Sequence, residues 1–181
     1  PFSNATSTQG DFLQGSSNAR LGYGVSGLGA RVGIFSDSFN ALPGGAEGNV
    51  STGDLPEFII HQDDPDNTGD GKMVVYQDLP YGNDEGRAMA QLIYDVAPNT
   101  SMAFWQAFWT EGHFARGIRT LHEEGYNILV SDVTYPQTPW YRDGLIAQAV
   151  KYVTSPERDD PALYVDAAGN FGSQGIEVPF V

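Results

Sequence analysis

ARVGIFSDSFN, residues 30–40, decides the fold. Its apolar run, Val32-Gly33-Ile34-Phe35, ends in Ser36-Asp37-Ser38. A short, nearly continuous apolar run is the pattern of a strand buried on both faces, as in a parallel sheet. The run stops at a lone carboxylate followed by small residues, and that end of a parallel strand is where open α/β sheets bind ligands. The stretch therefore reads as a central parallel strand that presents Asp37 at its C-terminal edge.

Working outward, the rest of the chain alternates strands with helices. Apolar runs at 58–60, 73–76, 101–107, 127–134 and 162–167 read as further strands. Residues 85–96 have helical spacing, with Ala88, Leu92 and Val96 on one face and Met89 and Ile93 beside it; Pro98 ends the segment. Residues 114–124 form a second amphipathic helix through Phe114, Ile118 and Leu121, closed by Gly125. Residues 143–154 form a third, with Asp143 as the expected N-cap. Residues 41–54 are a Gly/Pro/Asn loop, and the Gly- and Ser-rich residues 1–29 form a surface arm that Phe12, Leu13 and the Leu21 to Val25 stretch are expected to anchor. The pattern predicts a single α/β domain over residues 1–181, three layers thick, with a mainly parallel central sheet and helices on both faces.

Composition narrows the partners. With 9 Lys+Arg against 23 Asp+Glu, the net charge is −14. Such a surface repels nucleic-acid phosphates and anionic lipid, so neither nucleic acid nor membrane is expected as a partner. A hydrophobic fraction of 40% is enough to build a core. The absence of cysteine excludes disulfides, thiolate catalysis and Cys-ligated zinc. No run is long enough to span a membrane. The chain opens on Pro1, which fits removal of an upstream segment from a secreted or cell-surface protein of bacterial type, and equally a trimmed N-terminus.

Three segments carry candidate chemistry. Asp37 is one; as an isolated acid it also fits an N-cap or a turn. Asn83-Asp84-Glu85-Gly86 precedes the helix at 85–96, where acids also favour the helix dipole. If Glu85 faces Asp37, the two carboxylates cannot both ionise cheaply, one is raised, and it can take a proton as general base. The third is Ala167-Ala168-Gly169-Asn170 at a strand end, where small residues admit a substrate backbone and the Asn170 amide can donate to an oxyanion. No glycine-rich phosphate loop follows a strand, which argues against nucleotide binding.

VGIFSDSFN resembles the segment bearing the catalytic Asp in the subtilases, the subtilisin-like serine peptidases. DEGRAMAQLIYDVAPNTSM resembles their segment bearing the catalytic His, VSDVTYP their substrate-pairing strand, and VDAAGN the segment of their oxyanion-hole Asn. The likeness runs in order from about Gln9 to Gly172. It implies serine-type peptide hydrolysis, with Asp37, Glu85 and Asn170 as catalytic residues and Val133, Thr134 and Tyr135 pairing with a peptide or protein substrate.

Where subtilases carry His followed by Gly, this chain has Glu85-Gly86. That resembles a bacterial subset with Asp-Glu in place of Asp-His, and is similar to the sedolisins, which pair Glu and Asp with Ser. The sedolisin helix carries its Asp four residues after the Glu, where this chain has Met89, so Asp37 supplies the second carboxylate. The family's Gly-Thr-Ser nucleophile segment is absent; Ser131 lies within a strand and Ser173 has no following helix. The chain thus resembles the N-terminal two-thirds of a subtilase domain, lacking the C-terminal part, and a Ser would come from the remainder of its own domain or another chain. The competing expectation is a catalytically inactive subtilase-like module that binds peptide or calcium.

Asp64, Asp66, Thr68 and Asp70 recur at alternate positions ahead of Gly71, as in a calcium loop. The twelfth position counted from Asp66 is Gln77 rather than Glu, and a solvated acidic turn fits as well. No cofactor is required by the chemistry, and calcium is the one ion the pattern suggests. His61, His113 and His122 have neither triad nor metal-ligand spacing and read as ordinary histidines, with His61 and His113 open as lining residues. Tyr135 and Trp140 are expected to border a peptide cleft.

Overall fold

The computed structural model describes residues 7–61, 73–139 and 141–173. Six strands form one sheet: β1 (Arg31–Ser36), β2 (Phe58–Ile60), β3 (Met73–Gln77), β4 (Ser101–Gln106), β5 (Ile128–Ser131) and β6 (Leu163–Asp166). They lie in the order β2-β3-β4-β1-β5-β6, and every pairing is parallel. β1 is central, flanked by β4 and β5, as its apolar run requires. All its residues after Arg31 are buried, because helices cover both faces of its sheet neighbourhood.

Alternation along each strand sends side chains to two separate cores. Phe35, Val74, Ala103, Trp105 and Leu129 face α5 (Glu111–Glu123) and α6 (Leu145–Val153), meeting Phe114, Ile118, Leu121, Ala149 and Val153. Val32, Ile34, Val75, Met102 and Phe104 face the other side and pack with Phe39, with Ala46 of α3 (Gly45–Thr52) and with Ala90 of α4 (Glu85–Val96). The architecture is three-layer α/β, as the alternating pattern predicts.

Connectivity makes the gap beside β1 special. From β1 the chain passes through α3 to β2 and through α4 to β4, on one face and to one side of β1. It then crosses through α5 and α6 on the opposite face to build β5 and β6. The C-terminal ends of β1 and β5 therefore send their chains apart and leave a crevice, the switch point where α/β sheets bind ligands. Among the described residues, no helix of the second half covers the α4 face of β5 and β6. There Ile128 and Val130 are half-buried, while Leu163 and Val165 are 59% and 47% exposed.

Several local expectations are corrected. Residues 41–54 are not all loop, because 45–52 form α3, bounded by Gly44 and Gly53 in left-handed conformations and held by buried Ala46. The N-cap of α6 is Gly144 rather than Asp143, whose carbonyl instead accepts from Gln148 Nε2 at 2.9 Å. α4 buries Gly86, Arg87 and Ala90, whereas Ala88 and Leu92 are exposed. The small residues win that face because they let the helix lie close to Phe104.

The arm over residues 1–29 folds, where described, into α1 (Gln9–Leu13) and α2 (Ser16–Tyr23). Its apolar side chains do not anchor it, since Phe12 and Leu21 are 74% and 87% exposed. Polar bonds do. Arg20 pairs with Asp11 through both guanidinium nitrogens at 2.6 and 2.7 Å, and donates to the Val96 carbonyl at the end of α4. Thr8 N donates to Asp95 at 2.7 Å.

Arg20→Ala is expected to cost about 1.5–3 kcal/mol, the range for bonds to charged groups, and to expose the arm to protease ahead of global unfolding. Equal cleavage rates in the variant and the parent protein would show that the arm is held otherwise. The bond to Arg20 holds the Asp11 carboxyl below its ordinary value of 3.8. Its contribution is therefore complete above that pH and is lost as pH falls through the lowered value.

Candidate active site

Asp37 sits one residue past β1 and is buried. Its carboxylate accepts from three main-chain donors. Oδ1 accepts from Glu85 N at 3.0 Å and from Ser38 N, and Oδ2 accepts from Asn83 N at 2.5 Å. Asp37 therefore clamps the turn leading into α4, and places a negative charge at the helix N-terminus, where the dipole favours it. Sequence pattern brings Asp37 and Glu85 to one edge, and the structure places them there. The contact, however, is from carboxylate to backbone, and Glu85 is exposed.

The same turn is fixed by groups that the sequence pattern does not single out. Asp84 is buried in a left-handed conformation with φ 58°. It accepts from Ser38 Oγ at 3.0 Å, Ala41 N at 2.8 Å and Leu42 N at 3.1 Å, and forms an ion pair with Arg87, which also donates to the Phe39 carbonyl at 2.6 Å. Burial alone would raise the Asp84 carboxyl, but these donors outweigh it and hold the group below its ordinary value. Asp78 accepts from Phe39 N, Asn40 N and Leu79 N, yet burial leaves its carboxyl raised. Asp37, Asp78 and Asp84 thus fasten the chain leaving β1 onto α4. Local sequence carries no sign of it, because Asp78 lies 38 and 39 positions from the N–H groups of Asn40 and Phe39, and Asp84 42 and 43 positions from those of Leu42 and Ala41.

Asp132 is the third acid of the crevice. It follows β5 and continues the face that carries Ile128 and Val130, and its Oδ2 accepts from buried Ser36 Oγ at 2.9 Å. Burial first, then the negative charges of Glu85 and Asp37, push the Asp132 carboxyl above its ordinary value. One signal in the sequence was available: like Asp37, Asp132 ends a nearly continuous apolar strand. Among the described residues, no group of three or more such side chains is placed to hold a metal ion.

On the opposite face, a cavity of about 730 Å³ lies between α6 and the ends of β5 and β6. Val133, Thr134 and Tyr135 line it together with Asp166, Ala167 and Ala168. The two segments expected to bracket a substrate are therefore adjacent. Gly169, at φ 85°, has no room for a Cβ beside the Phe171 ring, and Thr134 Oγ1 lies on the same side. Asn170 follows it and is exposed.

Tyr135, expected to border a cleft, is among the residues that line this cavity. Its ring stacks on Phe114 with centroids 6.1 Å apart, its hydroxyl donates to the Ala107 carbonyl, and its own carbonyl accepts from Thr138 N at 3.2 Å. Thr134 is exposed, and Val133 N donates to Ser131 Oγ at 3.2 Å.

The histidines are structural in their surroundings. His61 stacks on Tyr76 at 4.3 Å between centroids. His113 accepts from Trp105 Nε1 at 3.2 Å and packs against Trp109, and burial followed by the charge of Arg116 lowers its imidazole. His122 is buried with Asp160 3.6 Å away. The calcium candidates Asp64, Asp66 and Asp70, with Thr68, lie outside the described residues, as does Trp140. Ser173 is exposed in a turn after Asn170. No described helix is long and apolar enough to cross a membrane. No protein-family model matches the chain, and no curated protein matches it either.

Proposed function

We propose that this chain is the carboxylate-bearing part of a subtilase-like serine endopeptidase. The observation that carries the reading is the switch-point crevice, where Asp37 grips the N-terminus of the helix that begins with Glu85. Glu85 is the general base for a serine hydroxyl, Asp37 fixes the base by its main chain, and Asn170 donates to the oxyanion. Thr134 and its neighbours border the substrate backbone on the cavity side, and that cavity is the recess for a substrate side chain.

The nucleophile comes from outside residues 1–181. The exposure of Leu163 and Val165 on the α4 face of β6, which no helix of the second half covers among the described residues, supports a further element packing there. A secreted or cell-surface location goes with the reading.

The test is labelling of the full-length protein with a serine-reactive phosphonate, alongside hydrolysis of a casein or peptide-library substrate, from acid to neutral pH. The expected result is one labelled serine outside residues 1–181 and a rate optimum below neutrality, since the base is a carboxylate. Absence of labelling across the range would replace the enzyme with a peptide-binding module of the same fold. An optimum above neutral pH would remove Glu85 as the base.

A further inference from the structure

We infer that Asp132 is a third functional carboxylate of this crevice, a positioning residue that holds the proton of the acidic group so that only two negative charges face the reacting centre. The inference rests on the peptidase reading above and deepens it.

Geometry gives Asp132 this place. It is the first residue past β5, the strand that pairs with β1 on the side away from β4. Its main-chain N–H reaches the Phe35 carbonyl at 3.4 Å, and its carboxyl is bonded to Ser36, the residue before Asp37. Asp132 is therefore locked across the switch point rather than free in solvent.

The charges around it have one sign. Asp37, just past β1, and Glu85, at the start of α4, lie near enough for their charges to act on its carboxyl. Arg87, the cation of α4, is committed to Asp84 and the Phe39 carbonyl. On β6, Asp166 pairs in register with Ser131 and so lies on the opposite face of the sheet. Asp37 accepts from three main-chain N–H groups, and Glu85 is exposed. Half-buried Asp132 has the Ser36 hydroxyl, which can serve as donor or acceptor. Of the three acids it is the one whose neutral form is best accommodated: protonated, it donates to Ser36 Oγ without loss of the bond.

The consequence is electrostatic. When the serine oxygen bonds to the peptide carbonyl carbon, its proton passes to the Glu85 carboxylate and the carbonyl oxygen gains the negative charge. When the C–N bond breaks, that proton leaves with the amine. Asp132 keeps its own proton throughout. Were it ionised, a third negative charge would stand against the developing oxyanion and raise the barrier. Ionisation of Asp132 thus sets the upper limb of the rate profile.

Two measurements decide this. In the full chain with ¹³C-labelled Asp and Glu carboxyls, the Asp132 midpoint is expected above the ordinary 3.8, and to fall in Glu85→Gln, which removes one of the negative charges that raise it. A midpoint at the ordinary value, or one unmoved by Glu85→Gln, overturns the inference. In the full-length protein, Asp132→Asn is permanently neutral and is expected to abolish the alkaline fall in phosphonate labelling rate. A purely structural role would leave that limb where it is, and so would overturn the inference. If the parent protein does not label at all, the peptidase reading falls, while the carboxyl titration still decides whether Asp132 holds the proton.

Discussion

Asp84→Ala is expected to lower the stability of the fold by about 3–5 kcal/mol, the range for removing one partner of a buried ion pair. The Asp84 side chain is 1% exposed and that of Arg87 11%. Truncation leaves the guanidinium buried without its counter-charge, and the N–H groups of Ala41 and Leu42 without an acceptor. Alanine is also a poorer occupant than aspartate of a left-handed backbone at φ 58°. The effect is read from urea unfolding. The double variant Asp84→Asn/Arg87→Met, which removes the charge together with its partner, is expected to recover part of the loss. A cost of less than about 1 kcal/mol for Asp84→Ala, the scale of a single neutral hydrogen bond, would show that the turn is held by Asp37 and Asp78 alone.

Asp84 also links stability to the pH at which the site is proposed to work. Its folded carboxyl lies below the ordinary 3.8. The clamp is therefore complete above that value and weakens only as pH falls through the lowered one. Moderately acidic conditions that suit a carboxylate base leave the Asp84 clamp intact. Asp132 behaves in the opposite sense. Its raised carboxyl takes up a proton more readily in the folded state, so its unfavourable contribution is absent below 3.8 and grows as pH rises toward the folded value.

Gly86→Ala is the second large effect, with an expected loss of about 1–3 kcal/mol, the range for overpacking a core. Helix propensity alone favours alanine by about 1 kcal/mol, so the sign rests on the surroundings. A Cβ at Gly86 falls 2.2 Å from Phe104 Cε2 and 2.8 Å from the Ser38 carbonyl oxygen. Phe104 is fully buried, and the Ser38 carbonyl is tied to Gly86 N at 3.1 Å, so neither yields cheaply. Any shift of α4 also draws the Glu85 N–H away from Asp37.

Gly48→Ala serves as the matched control. Gly48 lies inside α3, and a Cβ added there would meet nothing within 4 Å, so the substitution is expected to stabilise by about the propensity difference. If both substitutions stabilise, the close approach of α4 to the sheet is not what makes glycine necessary after Glu85.

Much of the scaffold is legible in the chain. The runs around Ile34, Val74, Phe104 and Leu129 are nearly continuous because parallel strands are buried on both faces, and the spacing in 85–96 and in the Phe114, Ile118, Leu121 stripe marks two helices. Asp37 is legible as an acid at a strand end. Expectation and structure part where burial depends on a distant partner. Leu92 carries an apolar side chain on the outer face of α4, while Arg87, the residue that sequence would send outward, is inside because Asp84 and the Phe39 carbonyl meet it there. The arm has apolar residues that suggest an apolar attachment, and is held instead by Arg20 and Asp11.

Local pattern alone was enough for the α/β class, the central place of 30–40 and the presence of Asp37 and Glu85 near one edge, because residue periodicity records which local faces leave water. The placing of β5 beside β1, and hence of Asp132 beside Asp37 across the switch point, emerges only in three dimensions. So do the meeting of Asp37 with Glu85 through the backbone and the fastening of the intervening turn by Asp78 and Asp84. Strand order and helix approach are set by packing between segments tens of residues apart, and no local pattern encodes which carboxylates that packing brings together.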